Sequence, residues 1–155
     1  MTVRRPLELD IGGKTLPLPV YFPSISSVKT ALQPADYLQV LASLVGINRQ
    51  FLVSAFDLAA LDKQEDAAKL LQASRDAGAV TLMDSGNYES FWKDARDQWR
   101  QPSFHQMLAG FPCDIAFGFD EQQPPANANE HVALVVTRWK EDQAAAGSCQ
   151  IVPII

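Results

Sequence analysis

The chain has 155 residues, of which 47% are hydrophobic and 20% charged, with a formal net charge of −5 and a sequence pI of about 4.9. This is enough apolar residue for one domain with a real core, and the acidic balance argues against autonomous nucleic-acid binding through a basic face. No run of ~18 apolar residues offers a membrane span, and the start, Met1-Thr2-Val3-Arg4-Arg5-Pro6, lacks the apolar stretch of a signal peptide.

Leu7-Glu8-Leu9-Asp10-Ile11 alternates apolar and polar residues, Gly12-Gly13 follows, and a second extended run covers Leu16 to Phe22. This pattern predicts a β-hairpin with a Gly-Gly turn. Pro17, Pro19 and Pro23 make its second arm an edge or a strand entrance. An alternation then begins. Pro34 to Val45 predicts a helix with proline in its first turn, and Phe51 to Phe56 a short buried strand. Asp62 to Ala77 predicts an amphipathic helix closed by Gly78, and Val80 to Met83 a strand. Tyr88 to Trp99 and Pro102 to Ala109 predict two more helices. Asp114 to Phe119 reads as a strand, Asn129 to Ala146 as a long helix capped by Asn127 or Asn129, and Cys149 to Ile155 as a last strand.

Apolar strands alternating with helices imply parallel β/α units. Two closures fit, an open doubly wound sheet or a TIM-type barrel. The absence of G-x-G-x-x-G after the first strand disfavours a dinucleotide-binding sheet. About five core strands are counted, where a (β/α)8 barrel needs eight. The chain also stops inside the apolar run Ile151-Val152-Pro153-Ile154-Ile155. The expected fold is therefore α/β: a partial TIM barrel preceded by an N-terminal hairpin, with 1–155 forming the N-terminal portion of one catalytic barrel domain. An uncovered last strand also raises the expectation of a homodimer joined through that edge.

Polar residues gather just after strand ends, where parallel β/α folds build their sites. Asp57 is one. Asp84-Ser85-Gly86-Asn87-Tyr88 offers an acceptor, a donor, a glycine that lets a ligand approach the backbone, and an aromatic face for a heterocycle. The same residues also suit a helix N-cap completed by Glu89 or Ser90. Phe119-Asp120-Glu121-Gln122-Gln123-Pro124-Pro125 reads either as a polar ligand lip or as a solvated loop entry. His105 and His131, the only histidines, read as surface or packing residues. Cys113 and Cys149 are far apart in sequence with no C-x-x-C spacing, which gives no metal signal and fits a reduced, cytoplasmic protein.

Taken in order, these segments resemble the tRNA-guanine transglycosylase (queuine/archaeosine tRNA-ribosyltransferase) family, TIM-barrel enzymes that exchange a guanine in tRNA for a 7-deazaguanine. The family motif D-S-G-G-[YF]-Q is matched by Asp84-Ser85-Gly86-Asn87-Tyr88-Glu89. The motif F-D-E-C-x-P-x-P-A, with S-L-R-W near the end of the next helix, is matched by Phe119 to Ala126 and Val136-Thr137-Arg138-Trp139. Pro19-Val20-Tyr21-Phe22-Pro23 resembles its P-V-F-M-P, and Ser27 to Pro34 with Leu38 the segment that follows.

The resemblance implies a catalytic role for Asp84 in proton handling during exchange. It implies base-binding roles for Ser85, Gly86, Tyr88, Asp120 and Gln122, with Tyr88 stacking on the base and Asp120 reading its Watson–Crick edge. A purine or 7-deazapurine base, and tRNA or a related nucleic acid, would be the partners, with no membrane. Departures are Asn87 for glycine, Glu89 for glutamine and Gln122 for cysteine; they suggest a bulkier, more polar pocket floor. The family's glutamine-glycine-glycine segment, nucleophilic aspartate and zinc ligands would lie beyond Ile155, so zinc is expected there and none within these residues. Two further readings are a non-catalytic, base-binding partner subunit of the same family, and an unrelated barrel hydrolase with Asp84 and Asp120 as paired acids.

Overall fold

The computed structural model describes residues 7–121 and 123–154. Glu8–Ile11 (β1) and Lys14–Pro17 (β2) pair antiparallel around Gly12-Gly13. Both glycines have positive φ, +55° and +80°, the requirement of the primed two-residue turn that matches strand twist. Ile11 and Leu16 are the hairpin's buried residues, so one face is pressed inward and the other is solvated.

Five parallel strands form the main sheet: Ser24–Ile25 (β3), Gln50–Ser54 (β4), Val80–Asp84 (β5), Ile115–Phe117 (β6) and Gln150–Val152 (β7). Their spatial order, β3-β4-β5-β6-β7, is their chain order. The crossovers carry Pro34–Ser43 (α1), Ala55–Ala59 (α2), Gln64–Asp76 (α3), Asn87–Trp92 (α4), Gln101–Gly110 (α5) and Ala128–Ala145 (α6). Parallel crossovers of one hand, laid down without reversal of strand order, place their helices on the same face of the sheet.

The buried residues agree with that arrangement. One cluster holds Ile25, Phe51, Val53, Met83, Ala116 and Ile151 of the sheet together with Leu38, Leu41, Leu71, Phe104 and Leu108 of the helices. A second holds Val80 and Leu82 with Ile11 and Leu16, and Leu52, Ile115 and Phe117 pack against it. The alternation along β4 and β5 thus sends one set of side chains to the helices and the other to the hairpin. Asp114 fastens the hairpin to the sheet. It accepts from Lys14 Nζ at 3.1 Å, from Arg75 at 3.0 Å and from the Thr81 N–H at 2.8 Å. Burial pushes its carboxyl up, but these donors outweigh burial and hold it below the usual range.

Several expectations need correction. The apolar run at Phe51 does not stay extended to Phe56: the strand ends at Ser54, and α2 starts at Ala55. A continuous apolar run cannot distinguish a strand end from the start of a buried helix. The helix expected to reach Trp99 ends at Trp92. Asp94 turns to φ +53°, and the Ala95 N–H reaches back to Ser90 O at 2.8 Å, a Schellman-type close. Strand β3 is too short, at two residues, to leave a periodic signal. The last strand stops at Val152, before Pro153, and Ile155 lies outside the described residues. No helix among the described residues is long and apolar enough to cross a membrane.

Candidate functional site

Asp84 is the last residue of β5, and Asp120 lies just beyond β6, the strand paired with it. The register sets Ser54 opposite Asp84, so β4 and β5 end level. The carboxyl ends of three adjacent strands therefore meet in one polar patch.

The turn after β5 is shaped by Gly86. Its φ is +82°, and a Cβ there would lie 2.5 Å from both the backbone nitrogen and the Cβ of Phe56. Only glycine fits such an approach at positive φ. The tight turn lets the Gly86 N–H donate to Asp84 Oδ2 at 3.2 Å. The capping reading of this motif is not realised, since the N-cap of α4 is Gly86 itself, with no side-chain cap bond.

Ser85 instead donates from Oγ to Asp120 Oδ1 at 3.1 Å. Asn87 donates from Nδ2 to the same oxygen at 2.6 Å and to the Asp120 carbonyl at 2.9 Å. Two residues of the first motif thus clasp the acid of the second. Among the described residues, Asp120 Oδ2 accepts no hydrogen bond. Arg138, from α6, braces the same loop: it donates to the Asp120 carbonyl at 3.3 Å and to Glu121 Oε2 at 2.7 Å. Its guanidinium lies 5.8 Å from the centre of the Phe119 ring. A cleft of about 650 Å³ opens here, with Asn87, Trp99, Phe119, Asp120, Glu121 and Arg138 on its walls.

The carboxyl of Asp84 is pushed up to about 6. Burial is the main cause, the negative charges of Glu89 and Asp120 add to it, and the Gly86 N–H opposes it. A carboxyl that titrates near 6 can both take and give a proton near neutral pH. Asp57 is also held above the ordinary range by burial, but it sits in α2, where it accepts the Ser27 N–H at 2.6 Å.

The expected residues are only partly gathered. Ser85 bonds to Asp120 and Asp84 lies close enough to feel its charge, but of Asp84, Ser85, Gly86 and Asp120 only Asp120 lies on the wall of the cleft. Tyr88, in the first turn of α4, is 52% exposed; its ring meets Trp92 edge-on at 6.2 Å, and it is not among the walls of the cleft. Gln122 lies outside the described residues. Glu89 does not belong to a pocket floor. It is buried and accepts from Ser26 Oγ at 2.7 Å and Ser54 Oγ at 2.9 Å, pinning α4 to the ends of β3 and β4.

Sequence reasoning missed the supports. Asp142 is fully buried, the only buried residue within α6. It accepts from Gln101 at 2.8 Å, His105 Nε2 at 2.7 Å and the Phe119 N–H at 2.7 Å, and so sets the backbone from which Asp120 projects. An aspartate on a helix whose other residues are exposed or half-buried gives no signal of this kind. Trp99 donates to the Ser85 carbonyl at 2.9 Å and packs edge-on against Phe56 at 5.3 Å. Cys113 and Cys149, remote in sequence, are in contact in the fold. No group of three or more His, Cys, Asp or Glu among the described residues is placed to hold a metal ion.

The fold and site together define an α/β chain with a five-stranded parallel sheet and a polar, acid-containing cleft at the carboxyl ends of its strands. No protein-family model and no curated protein matches the chain.

Proposed function

We propose that this chain is the base-handling part of a tRNA-guanine transglycosylase-like protein, its sheet forming a segment of a (β/α)8 barrel. Sequential strand order and a shared helix layer support the barrel reading, because a doubly wound sheet reverses its order at a switch point. The ligand is a guanine or 7-deazaguanine presented by tRNA or a related nucleic acid. The base must leave its stack to enter a cleft of this kind.

The observation that carries the reading is the clasp on Asp120. Ser85 and Asn87 both bond to Oδ1, which fixes the plane of the carboxylate at the cleft. Guanine presents adjacent N–H donors on its Watson–Crick edge, and a fixed, ionised carboxylate is their complement. Adenine presents no such pair. Asp84, in the same patch and titrating near 6, supplies a group that exchanges the proton of the departing or entering base. Base exchange also needs a nucleophile to hold the ribose once the first base has left. The acids described here have other work: Asp84 and Asp120 handle the base, and Asp57 anchors the Ser27 backbone. Binding and exchange are therefore separate readouts.

The test is calorimetric titration of the protein with guanine, 7-deazaguanine and adenine, followed by incorporation of labelled guanine into tRNA. The reading requires binding of the first two and rejection of adenine. Equal affinity for all three removes it. Incorporation at the rate of a complete exchange enzyme would contradict the assignment of Asp84, Asp120 and Asp57 to roles other than nucleophile.

A further inference from the structure

Cys113 precedes β6 and Cys149 precedes β7, at the ends of the strands opposite to the acidic cleft. Parallel pairing sets Ile115 beside Gln150, which brings Cys149 level with Asp114, with Cys113 one residue before it. Their sulfurs lie 2.7 Å apart, closer than two non-bonded sulfurs normally rest and within an ångström of the ~2.05 Å disulfide length. Both are thiols. Both side chains are nearly inaccessible, at 2% and 4%. Yet both lie on the wall of a second cleft, of about 670 Å³, between α3, α5 and the end of α6, which Lys69 and Arg75 also line.

We propose that Cys113 and Cys149 form a redox-active dithiol that a small-molecule disulfide, entering by this cleft, converts to an internal disulfide. One protein thiolate attacks the incoming disulfide and releases one small thiolate. The second protein sulfur then attacks the mixed disulfide, forming the Cys113–Cys149 bond and releasing the other small thiolate. The two protons lost by the protein appear on the two departing thiols. Two protein thiols are oxidised and one small disulfide is reduced, so atoms and electrons balance.

Burial opposes thiolate at both positions, and at Cys113 the neighbouring sulfur and burial together push the thiol up. Arg75 favours thiolate at both positions, and the Asp114 carboxylate paired with it at 3.0 Å opposes it, more strongly than Arg75 acts at Cys149. The product would close the 36-residue separation between the cysteines. That segment contains β6, the Phe119-Asp120-Glu121 loop and α6. Cross-linking it restricts the unfolded chain and raises thermal stability. This inference is independent of the base-binding reading.

The test uses the whole chain incubated with oxidised glutathione, then denatured, alkylated and weighed. The expected product is lighter by about 2 Da, resists alkylation, and yields one proteolytic peptide pair linked through Cys113 and Cys149. Its melting temperature should rise by on the order of 10 °C and return on reduction. Cys113→Ser and Cys149→Ser should each abolish the lighter form. The wild-type mass decides the matter even if a variant does not fold. Two alkylatable thiols after treatment, separate glutathione adducts on both cysteines, or disulfides between chains would each overturn the proposal.

Discussion

The side-chain amide of Asn87 donates to Oδ1 of Asp120 at 2.6 Å, joining the first turn of the helix after β5 to the loop after β6. It holds the carboxylate in one orientation before any ligand arrives.

Replacing Asn87 with alanine leaves that orientation to Ser85 alone. A hydrogen bond to a charged group contributes about 1.5–3 kcal/mol, part of which the bonded carboxylate recovers from water. Guanine affinity should therefore fall by roughly five- to tenfold, about 1–1.4 kcal/mol. Titration of Asn87→Ala with guanine checks this; unchanged affinity means the clasp does not prepare the site.

Gly86→Ala tests the turn itself. The added Cβ meets the Phe56 backbone nitrogen at 2.5 Å, in a conformation of φ +82°. Neither the clash nor the strain is relieved by moving a flexible side chain. Urea unfolding should show a loss on the order of 3 kcal/mol. A loss below about 1 kcal/mol would mean the turn adapts and the strand ends are less rigidly set than described.

The fold was largely legible in the sequence because its strands are apolar and its helices carry terminal signals. Asn127 illustrates this: its Oδ1 accepts from the N–H groups of Asn129 and Glu130 and starts α6 where expected. The boundaries at Ser54 and Trp92 were not legible: no change in hydrophobicity marks the first, and the largely polar residues 93–98 suit a continuing solvated helix as well as its end. One is set by burial of α2 and the other by the backbone of Asp94. The acids of the site were visible as polar residues following apolar strands. Their supports were not. Asp142 reaches Phe119 across 23 positions, and Arg138 reaches Glu121 across 17; no local pattern records such distances. The contact between Cys113 and Cys149 arises from strand register and not from spacing.

Asp84 gives the chain a pH dependence. Its carboxyl is raised from 3.8 to about 6 in the folded state, so the folded protein holds that proton more tightly than the unfolded chain. Stability from this group is complete below about pH 4 and is lost as pH rises through 6. A displacement of this size corresponds to about 2–3 kcal/mol. Asp84→Asn cannot ionise and should be more stable than the parent by about that amount at pH 8, with little difference at pH 4. Urea unfolding at both pH values measures it. An equal gap at the two values would show that ionisation of Asp84 is not the cause.

The proposed base recognition requires Asp120 to read paired N–H groups on a guanine edge. Asp120→Asn keeps the size of the side chain and replaces one acceptor oxygen with a donor, so the measurement is calorimetric titration of both proteins with guanine at one pH. The variant should lose about 1–3 kcal/mol of binding, roughly a five- to hundredfold rise in Kd. Equal guanine affinity in the two proteins would contradict it.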